Sequence, residues 1–429
     1  MREDPLKKLA YDETFNCIQC GTCLPACPTY KTMEKETQSP RGRINLIKMV
    51  AEKKIPLEKI KEPIDLCLGC RACERVCPTH VEYGKILESA KEALFDQQKD
   101  SVPPLKKFEE NLFYKQVFPK HRLMAAAGNL LWFYQKSGVR DLAHLTHMNR
   151  LLPENLATFE QATPEVRARG LKPLHAVQAT HQPAKYRVAF FLGCVMDTVF
   201  GRINDLSIKL LASAGCDVLI PKKQACCGAL HLHDGRKAIS RELAKRNIEA
   251  FESEKVDYII NNAGGCGAML SEYPQLFTND PEWESRAQRF SEKSIDISVL
   301  LDKLDLPFKK ELKERVTLQP SCHMTNVQKV VDEPKNLINK IKGIAFQPLD
   351  DPDFCCGSAG VYNLVNFKPS MEILDVKMED VKRQSVDRIV TTNPGCLLQM
   401  NIGIEREHLK GRIKAVHLVE LLAEACEIE

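Results

Sequence analysis

The sequence predicts a multi-domain chain: a cysteine-bearing α-helical module at the N-terminus, then two copies of an α/β domain built from parallel βαβ units. Three observations carry that prediction. The run CIQCGTCLPACP, beginning at Cys17, returns as CLGCRACERVCP from Cys67, with each of its four cysteines displaced by fifty residues. Beyond residue 186, short β-rich runs alternate with helical ones in an order that occurs twice. Cysteine landmarks keep the second occurrence in register with the first: Cys194 with Cys322, Cys226 and Cys227 with Cys355 and Cys356, and Cys266 with Cys396.

A chain of 429 residues, 44% hydrophobic, has room for several cores. Residues 1–100 hold both cysteine runs. Between them Ile44, Ile47, Met49 and Val50 mark a helix, and a second helix over about 84–98 closes the module. Residues 101–185 read as helical and then as a proline-dotted linker, LLPENLATFEQATPEVRARGLKPLHAVQATHQP. The first α/β domain, 186–310, offers RVAFFLG, CDVLIP and YIINNA as strands, with helices near 202–214 and 236–251. The second, 311–429, repeats the order with ERVTLQP, IAFQPLD and DRIVTTNPG, and helices near 334–341 and 371–383.

Charge excludes one class of partner. Lys plus Arg number 61 against 57 Asp plus Glu, interspersed and without a basic tail, so nucleic-acid binding has no support. The charged N-terminal stretch MREDPLKKLAYDETF lacks an apolar core, which points to a cytoplasmic protein with reduced thiols. The most apolar segment, LMAAAGNLLWFY (Leu123 to Tyr134), is too short to span a bilayer, which takes about 20 residues. With His121, Arg122, Lys136 and Arg140 around it, a helix packed on its own protein is favoured over one lying on a membrane surface or a partner.

The spacing C-x2-C-x2-C-x3-C-P carries the most specific chemistry. Three closely spaced thiolates reach three irons of one cubane from a tight loop, while the fourth lies too far along; in two-cluster ferredoxins it ligates the other cluster. Cys17, Cys20, Cys23 and Cys77 are therefore assigned to one [4Fe–4S] centre, and Cys67, Cys70, Cys73 and Cys27 to another. Zinc would use two separated C-x2-C pairs and gives no reason for the third and fourth cysteines. A disulfide framework is disfavoured in a reducing compartment. Arg41 and Arg43, in SPRGRI, are read either as solvated surface or as donors near a cluster.

The four cysteines of each later repeat fall at the carboxyl ends of neighbouring parallel strands, where open α/β sheets build their sites. Cys194, Cys226, Cys227 and Cys266 would meet in one crevice, and Cys322, Cys355, Cys356 and Cys396 in another. A further iron–sulfur centre, zinc, or inert buried thiols all remain open there, with metal favoured because both sets survive the duplication. Gly228 and Gly357 suit a tight turn beside such a centre. Cys216 and Cys426 lack counterparts and read as core residues, and His231, His233 and His323 as structural histidines. No G-x-G-x-x-G, P-loop or nucleophile elbow is present, so the chain itself is expected to bind no flavin or nicotinamide and to have no catalytic residue of its own.

With those residues assembled, the chain resembles the iron–sulfur subunits of bacterial glycolate oxidases over nearly its whole length. The likeness lies in the two paired cysteine runs, the SPRGRI segment between them and the two later repeats with their CCG pairs. The wider superfamily includes the C subunit of anaerobic glycerol-3-phosphate dehydrogenase, lactate-utilisation iron–sulfur proteins and heterodisulfide reductase subunits. The resemblance implies a ferredoxin-like domain with two [4Fe–4S] clusters, followed by two CCG (cysteine-rich) domains. It implies an electron-transfer subunit that takes electrons from an FAD-binding partner oxidising a 2-hydroxy acid, glycolate to glyoxylate, and passes them to an acceptor such as a quinone. The same likeness implies a cytoplasmic protein with contact at the inner face of the cell membrane. A stand-alone thiol or heterodisulfide reductase, or the matching subunit of a lactate or glycerol-3-phosphate dehydrogenase, is the alternative. Met269 and Gln399 stand where heterodisulfide reductases carry the second cysteine of C-x-x-C, which weighs against disulfide reduction.

Overall fold

Alternating β-branched and helical segments generate two parallel sheets of the same topology. The computed structural model describes residues 4–99, 102–146, 151–168, 176–177, 179–180 and 183–429. Residues 169–175, 178, 181 and 182 of the expected linker lie outside that set.

In the first repeat β2 (Tyr186–Phe190), β3 (Cys216–Leu219), β4 (Tyr258–Asn261) and β5 (Ser294–Asp296) form a parallel sheet in the order β3-β2-β4-β5, with β1 (Ala176–Val177) antiparallel on the β3 edge. The second repeat runs β6 (Arg315–Gln319), β7 (Ala345–Phe346), β8 (Arg388–Thr391) and β9 (Lys414–His417), ordered β7-β6-β8-β9 and parallel throughout. Register agrees as well: Val188 of β2 faces Val218 and Tyr258, and Val316 of β6 faces Phe346 and Arg388. Each sheet therefore reverses its strand order between its first and third strands, the switch point at which such sheets bind ligands.

The six strands read from the sequence all form, and β1, β5 and β9 are additional. The helices at 201–213, 237–252, 333–339 and 367–383 lie where helical periodicity indicated. Between sheets, one apolar cluster joins Val188, Leu211 and Ile260 of the first repeat to Val316, Val390 and Leu422 of the second, so the two copies share a core. Cys216 and Cys426 belong to it, and burial pushes both thiols up to about 11.

The N-terminal module is helical. Ser39 caps the helix Pro40–Ala51 by accepting from the Gly42 N–H at 3.0 Å, and Pro40 supplies the preset φ of a first turn. Ile44, Ile47 and Val50 of that helix meet Ile86, Leu87 and Ala90 of the helix Tyr83–Gln98. The module sits on both repeats: Lys31 and Arg75 pair with Asp351 and Asp353 at 2.8 Å, and Arg71 with Glu272 at 3.1 Å. Residues 151–168, expected to be weakly patterned, include a helix at Glu154–Ala162.

Candidate metal centres

Both N-terminal runs fold the same way because the same backbone positions are left-handed. Gln19 and Gly21 flank Cys20 with φ of 58° and 87°; Gly69 and Arg71 flank Cys70 with 63° and 62°. Left-handed residues on either side of the central cysteine curl the chain into a concave nest of N–H groups, suited to an anion. At Gln19 and Arg71 that geometry is strained, since only glycine adopts it freely.

Cysteines of both runs meet around one cavity. Cys17, Cys20, Cys23 and Cys77 line one cavity of about 410 Å³, with Cys73 at its wall. The Thr79 hydroxyl donates to the Asn16 carbonyl at 2.8 Å, which ties Cys77 beside the first run. Cys27 shares electrostatic contacts with Cys70 and Cys73 of the second run as well as with Cys23 of its own. A hydrogen bond with Thr22 pulls the Cys20 thiol below its ordinary range, while burial raises Cys70 and Cys73 well above theirs.

Arg43 is the largest buried side chain in the described residues, 1% exposed, so the surface reading fails for it. Its hydrogen bonds go to neutral oxygens: Pro63 O at 2.7 Å, and Thr29 Oγ1 and Gln38 Oε1 at 3.0 Å. The titratable groups beside it are the Cys67 and Cys27 thiols and the Tyr83 phenol, with no carboxylate among them. A buried guanidinium without a carboxylate costs several kcal/mol unless an anion compensates it. Five thiols, Cys17, Cys20, Cys23, Cys73 and Cys77, around an open cavity fit a thiolate-held anionic cluster, and the buried Arg43 stands beside the other thiols, Cys27 and Cys67. Arg41 stays at the rim, bound to Glu36 at 2.7 Å and to the Gln19 carbonyl at 3.1 Å.

In the repeats the cysteines meet in pairs at the carboxyl ends of the strands. Cys194 Sγ lies 3.4 Å from Cys226 Sγ, and Cys227 Sγ lies 3.5 Å from Cys266 Sγ. The second repeat brings Cys322 to Cys355 and Cys356 to Cys396 in the same order. Among the described residues no three Cys, His, Asp or Glu side chains converge on one ion-sized point. Gly228 and Gly357 hold φ of 91° and 90°; a Cβ would fall 2.7 Å from Ser240 Oγ and from the Ser370 carbonyl. Mutual hydrogen bonding and then burial hold the Cys194 and Cys322 thiols well above their ordinary range. Thiols so placed are protonated and weakly nucleophilic unless a metal ionises them.

One juxtaposition links the regions. Cys70 faces Cys322 and Cys355, and Asn326 donates to the Cys70 carbonyl at 2.8 Å. Leu68, Phe354 and Tyr362 seal this contact in an apolar cluster. Among the described residues, the apolar cluster around the first tetrad includes none from the N-terminal module. Beside Cys194 and Cys226 opens a cavity of about 420 Å³, bounded by Phe118, His121, Met124 and Leu192. Lys377, buried in the second repeat, is held by the Asp351 carbonyl at 2.5 Å and lies near Cys355 and Cys356. Sequence reasoning missed it, and underrated Arg43.

Of the histidines read as structural, His323 sets its Nδ1 3.7 Å from Cys322 Sγ. His231 bonds the Tyr114 carbonyl at 2.8 Å, and the ring of His233 lies against that of His323, tilted by 30° with centroids 5.5 Å apart.

Comparison with known proteins adds family models and relatives. A cysteine-rich domain matches residues 188–271 and 316–401, a 4Fe-4S dicluster domain residues 13–81, and the linker region of the glycolate oxidase iron-sulfur subunit residues 105–163. The probable glycolate oxidase iron-sulfur subunit of Bacillus subtilis (strain 168) is 47% identical across 96% of this chain and 94% of its own. The glycolate oxidase iron-sulfur subunit of Escherichia coli (strain K12) is 30% identical with the same coverage. Lactate utilization protein A of Oceanobacillus iheyensis is 35% identical over 55% of this chain and 96% of its own.

Proposed function

The chain belongs to the family of glycolate oxidase iron–sulfur subunits, and on that premise we propose that it carries electrons from a flavin-bearing partner toward an acceptor such as a quinone. Two [4Fe–4S] clusters form the wire, one on Cys17, Cys20, Cys23 and Cys77, the other on Cys67, Cys70, Cys73 and Cys27. The tetrads Cys194–Cys226–Cys227–Cys266 and Cys322–Cys355–Cys356–Cys396 are metal centres that extend it. Functional divisions fall near residues 100, 185 and 310. Glycolate is oxidised to glyoxylate on the FAD-binding partner. The protein works on the cytoplasmic side; among the described residues no helix is long and apolar enough to cross a membrane.

A bound iron–sulfur cluster supplies one-electron redox chemistry. The chain's own residues do the rest. The two nests aim N–H groups at the cluster sites, Arg43 offsets negative charge near Cys27 and Cys67, and the seal of Leu68, Phe354 and Tyr362 keeps water from the passage between Cys70 and Cys322. The single observation that carries the reading is that passage, because it makes the second run and the second tetrad neighbours.

The test is anaerobic purification of the full chain, with iron, acid-labile sulfide and zinc counted per polypeptide and glycolate offered with a dye. About eight irons or more are expected, with dye reduction only when the flavin-bearing subunit is added. Glycolate oxidation by the chain alone contradicts the reading.

A further inference from the structure

The segment 104–163 differs from the rest of the surface in what it shows to water. Of the eighteen large hydrophobic side chains exposed among the described residues, thirteen lie between Phe108 and Leu156. A concentrated apolar patch of this kind marks an interaction site rather than ordinary surface.

Its centre is the helix His121–Lys136. One side packs on the protein: Met124, Ala125 and Gly128 are buried, and a Cβ on Gly128 would fall 2.8 Å from Thr198 Cγ2. The expectation of a helix packed on its own protein therefore describes half of it. A second side is covered by residues 160–166, where Tyr134 and Gln135 bond Glu160 and Pro164. Among the described residues the third side is bare. Leu123, Ala126, Ala127, Leu130 and Phe133 follow the i, i+3, i+4, i+7 spacing of one face, with Leu130 71% and Phe133 57% exposed. Trp132 stands at its edge.

Charge says what fits this face. No Asp or Glu occurs between Lys120 and Arg140, and residues 104–146 hold seven Lys and Arg against three Asp and Glu. That local excess of four equals the formal +4 of the whole chain, so the remainder balances. Lys136 and Arg140 are engaged by Glu165 and Glu160. The positive end is therefore Lys115, Lys120 and Arg122, all exposed. An apolar helical face with basic residues at its end and an indole at its edge is the pattern of a helix seated in the interface of an anionic bilayer.

We infer that the face made by Leu123, Leu130 and Phe133 lies in the headgroup layer of an anionic membrane, with Lys115, Lys120 and Arg122 on the phosphates. The surface goes beyond the electron-transfer reading; one consequence rests on that reading. The helix packs on Val195–Val199, whose first turn follows Cys194, and its residues His121 and Met124 wall the cavity beside Cys194 and Cys226. The first tetrad, not the second, is then the one that faces the lipid.

Flotation of the full chain with vesicles tests it, using phosphatidylglycerol mixed with phosphatidylethanolamine, and phosphatidylcholine alone. The chain should float with the anionic vesicles, weaken as salt rises, and bind phosphatidylcholine roughly tenfold less. Leu130→Glu with Phe133→Glu should abolish flotation; both side chains are exposed, so iron content and circular dichroism should stay at wild-type values. Should that variant misfold, Lys120→Gln with Arg122→Gln should remove the anionic preference alone. No flotation of the intact chain, or unchanged flotation of the variants, overturns the inference. So does loss of the flavin-bearing subunit, rather than of vesicles, by Leu130→Glu/Phe133→Glu, which makes the face a subunit interface. Iron per chain, read on the same samples, reports separately on the cluster reading.

Discussion

The two repeats share a topology and an order of four cysteines but not what surrounds them. In the first, the pair Cys226–Cys227 is held by neutral groups: Asn247 donates to the Cys226 carbonyl at 3.0 Å and Tyr273 to the Cys227 carbonyl at 3.0 Å. In the second, the matching helix carries Lys377 where the first has Asn247, so a buried cation stands near the pair. The first tetrad opens on a cavity beneath an exposed helix; the second is closed over by Cys70 and Leu68 of the N-terminal module. Duplication kept the four cysteines in register, and the neighbours then diverged into an inward-facing and an outward-facing site. Fourfold cysteine registration makes the two tetrads look equivalent; only the neighbours distinguish the one that meets the N-terminal module.

The sharpest way to break the comparison is to remove a ligand from each repeat. Cys355→Ser and Cys226→Ser should each deplete metal from its own repeat only, and each should reduce electron passage in the complex to near zero, the first by cutting entry and the second by cutting exit. Metal analysis and stopped-flow bleaching separate them. Depletion of both repeats by either change would mean one shared centre.

Next in size is the charge difference. Lys377→Met removes a cation near Cys355 and Cys356 and should lower the reduction potential of that site by roughly 60 mV, the equivalent of about 1.4 kcal/mol for one electron. Asn247→Leu in the first repeat should shift its site by less than about half of that. Potentiometric titration followed by electron paramagnetic resonance reads both, and equal shifts would remove charge as the distinction.

Acid should tell the repeats apart through their caps. Asp296 ends β5 and caps the helix Ile297–Asp302; His417 ends β9 and caps Leu418–Ala425. Burial raises Asp296 to about 6 and lowers His417 to about 4. For Asp296 the folded value lies above the unfolded one, so its contribution is complete below about pH 3.8 and lost as pH climbs through 6. For His417 the folded value lies below, so its contribution is complete above about pH 6.5 and lost as pH falls through 4. Asp296→Asn should therefore raise stability at pH 7.5, and His417→Asn should flatten the loss at pH 5, each by about 1–2 kcal/mol. Urea unfolding at the two pH values measures it; the reverse signs would refute the assignment. The smallest effect belongs to Arg75→Ala, which breaks a half-exposed pair with Asp353 and should cost less than about 1 kcal/mol with no loss of metal.

Much of the fold was legible in the sequence because the cysteines act as rulers. Their offsets aligned the repeats, and strands such as RVAFF and RIVTT carry β-branched runs long enough to separate from helix. The strands β5 and β9 were not legible: SID and KAVH are three and four residues long and run directly into helices, so no period of two develops. Arg43 and Lys377 left a readable signal that a hydropathy pass discards. Arg43 stands on the stripe of Ile44, Ile47 and Val50, and Lys377 on that of Ile373, Leu374 and Met378. A cation on an apolar stripe is a buried cation in want of an anion. What sequence could not supply is the meeting of Cys70 with Cys322, which depends on how the N-terminal module seats on the second repeat.

The central claim is that neither N-terminal run is complete without the last cysteine of the other. Iron per polypeptide in a chain whose second run is disabled by Cys67→Ala and Cys70→Ala tests it most directly. Adding Cys27→Ser to that background should remove no further iron, while adding Cys77→Ser should remove about four more. If Cys27→Ser empties the remaining site and Cys77→Ser leaves it filled, each run is self-sufficient and the exchange is wrong.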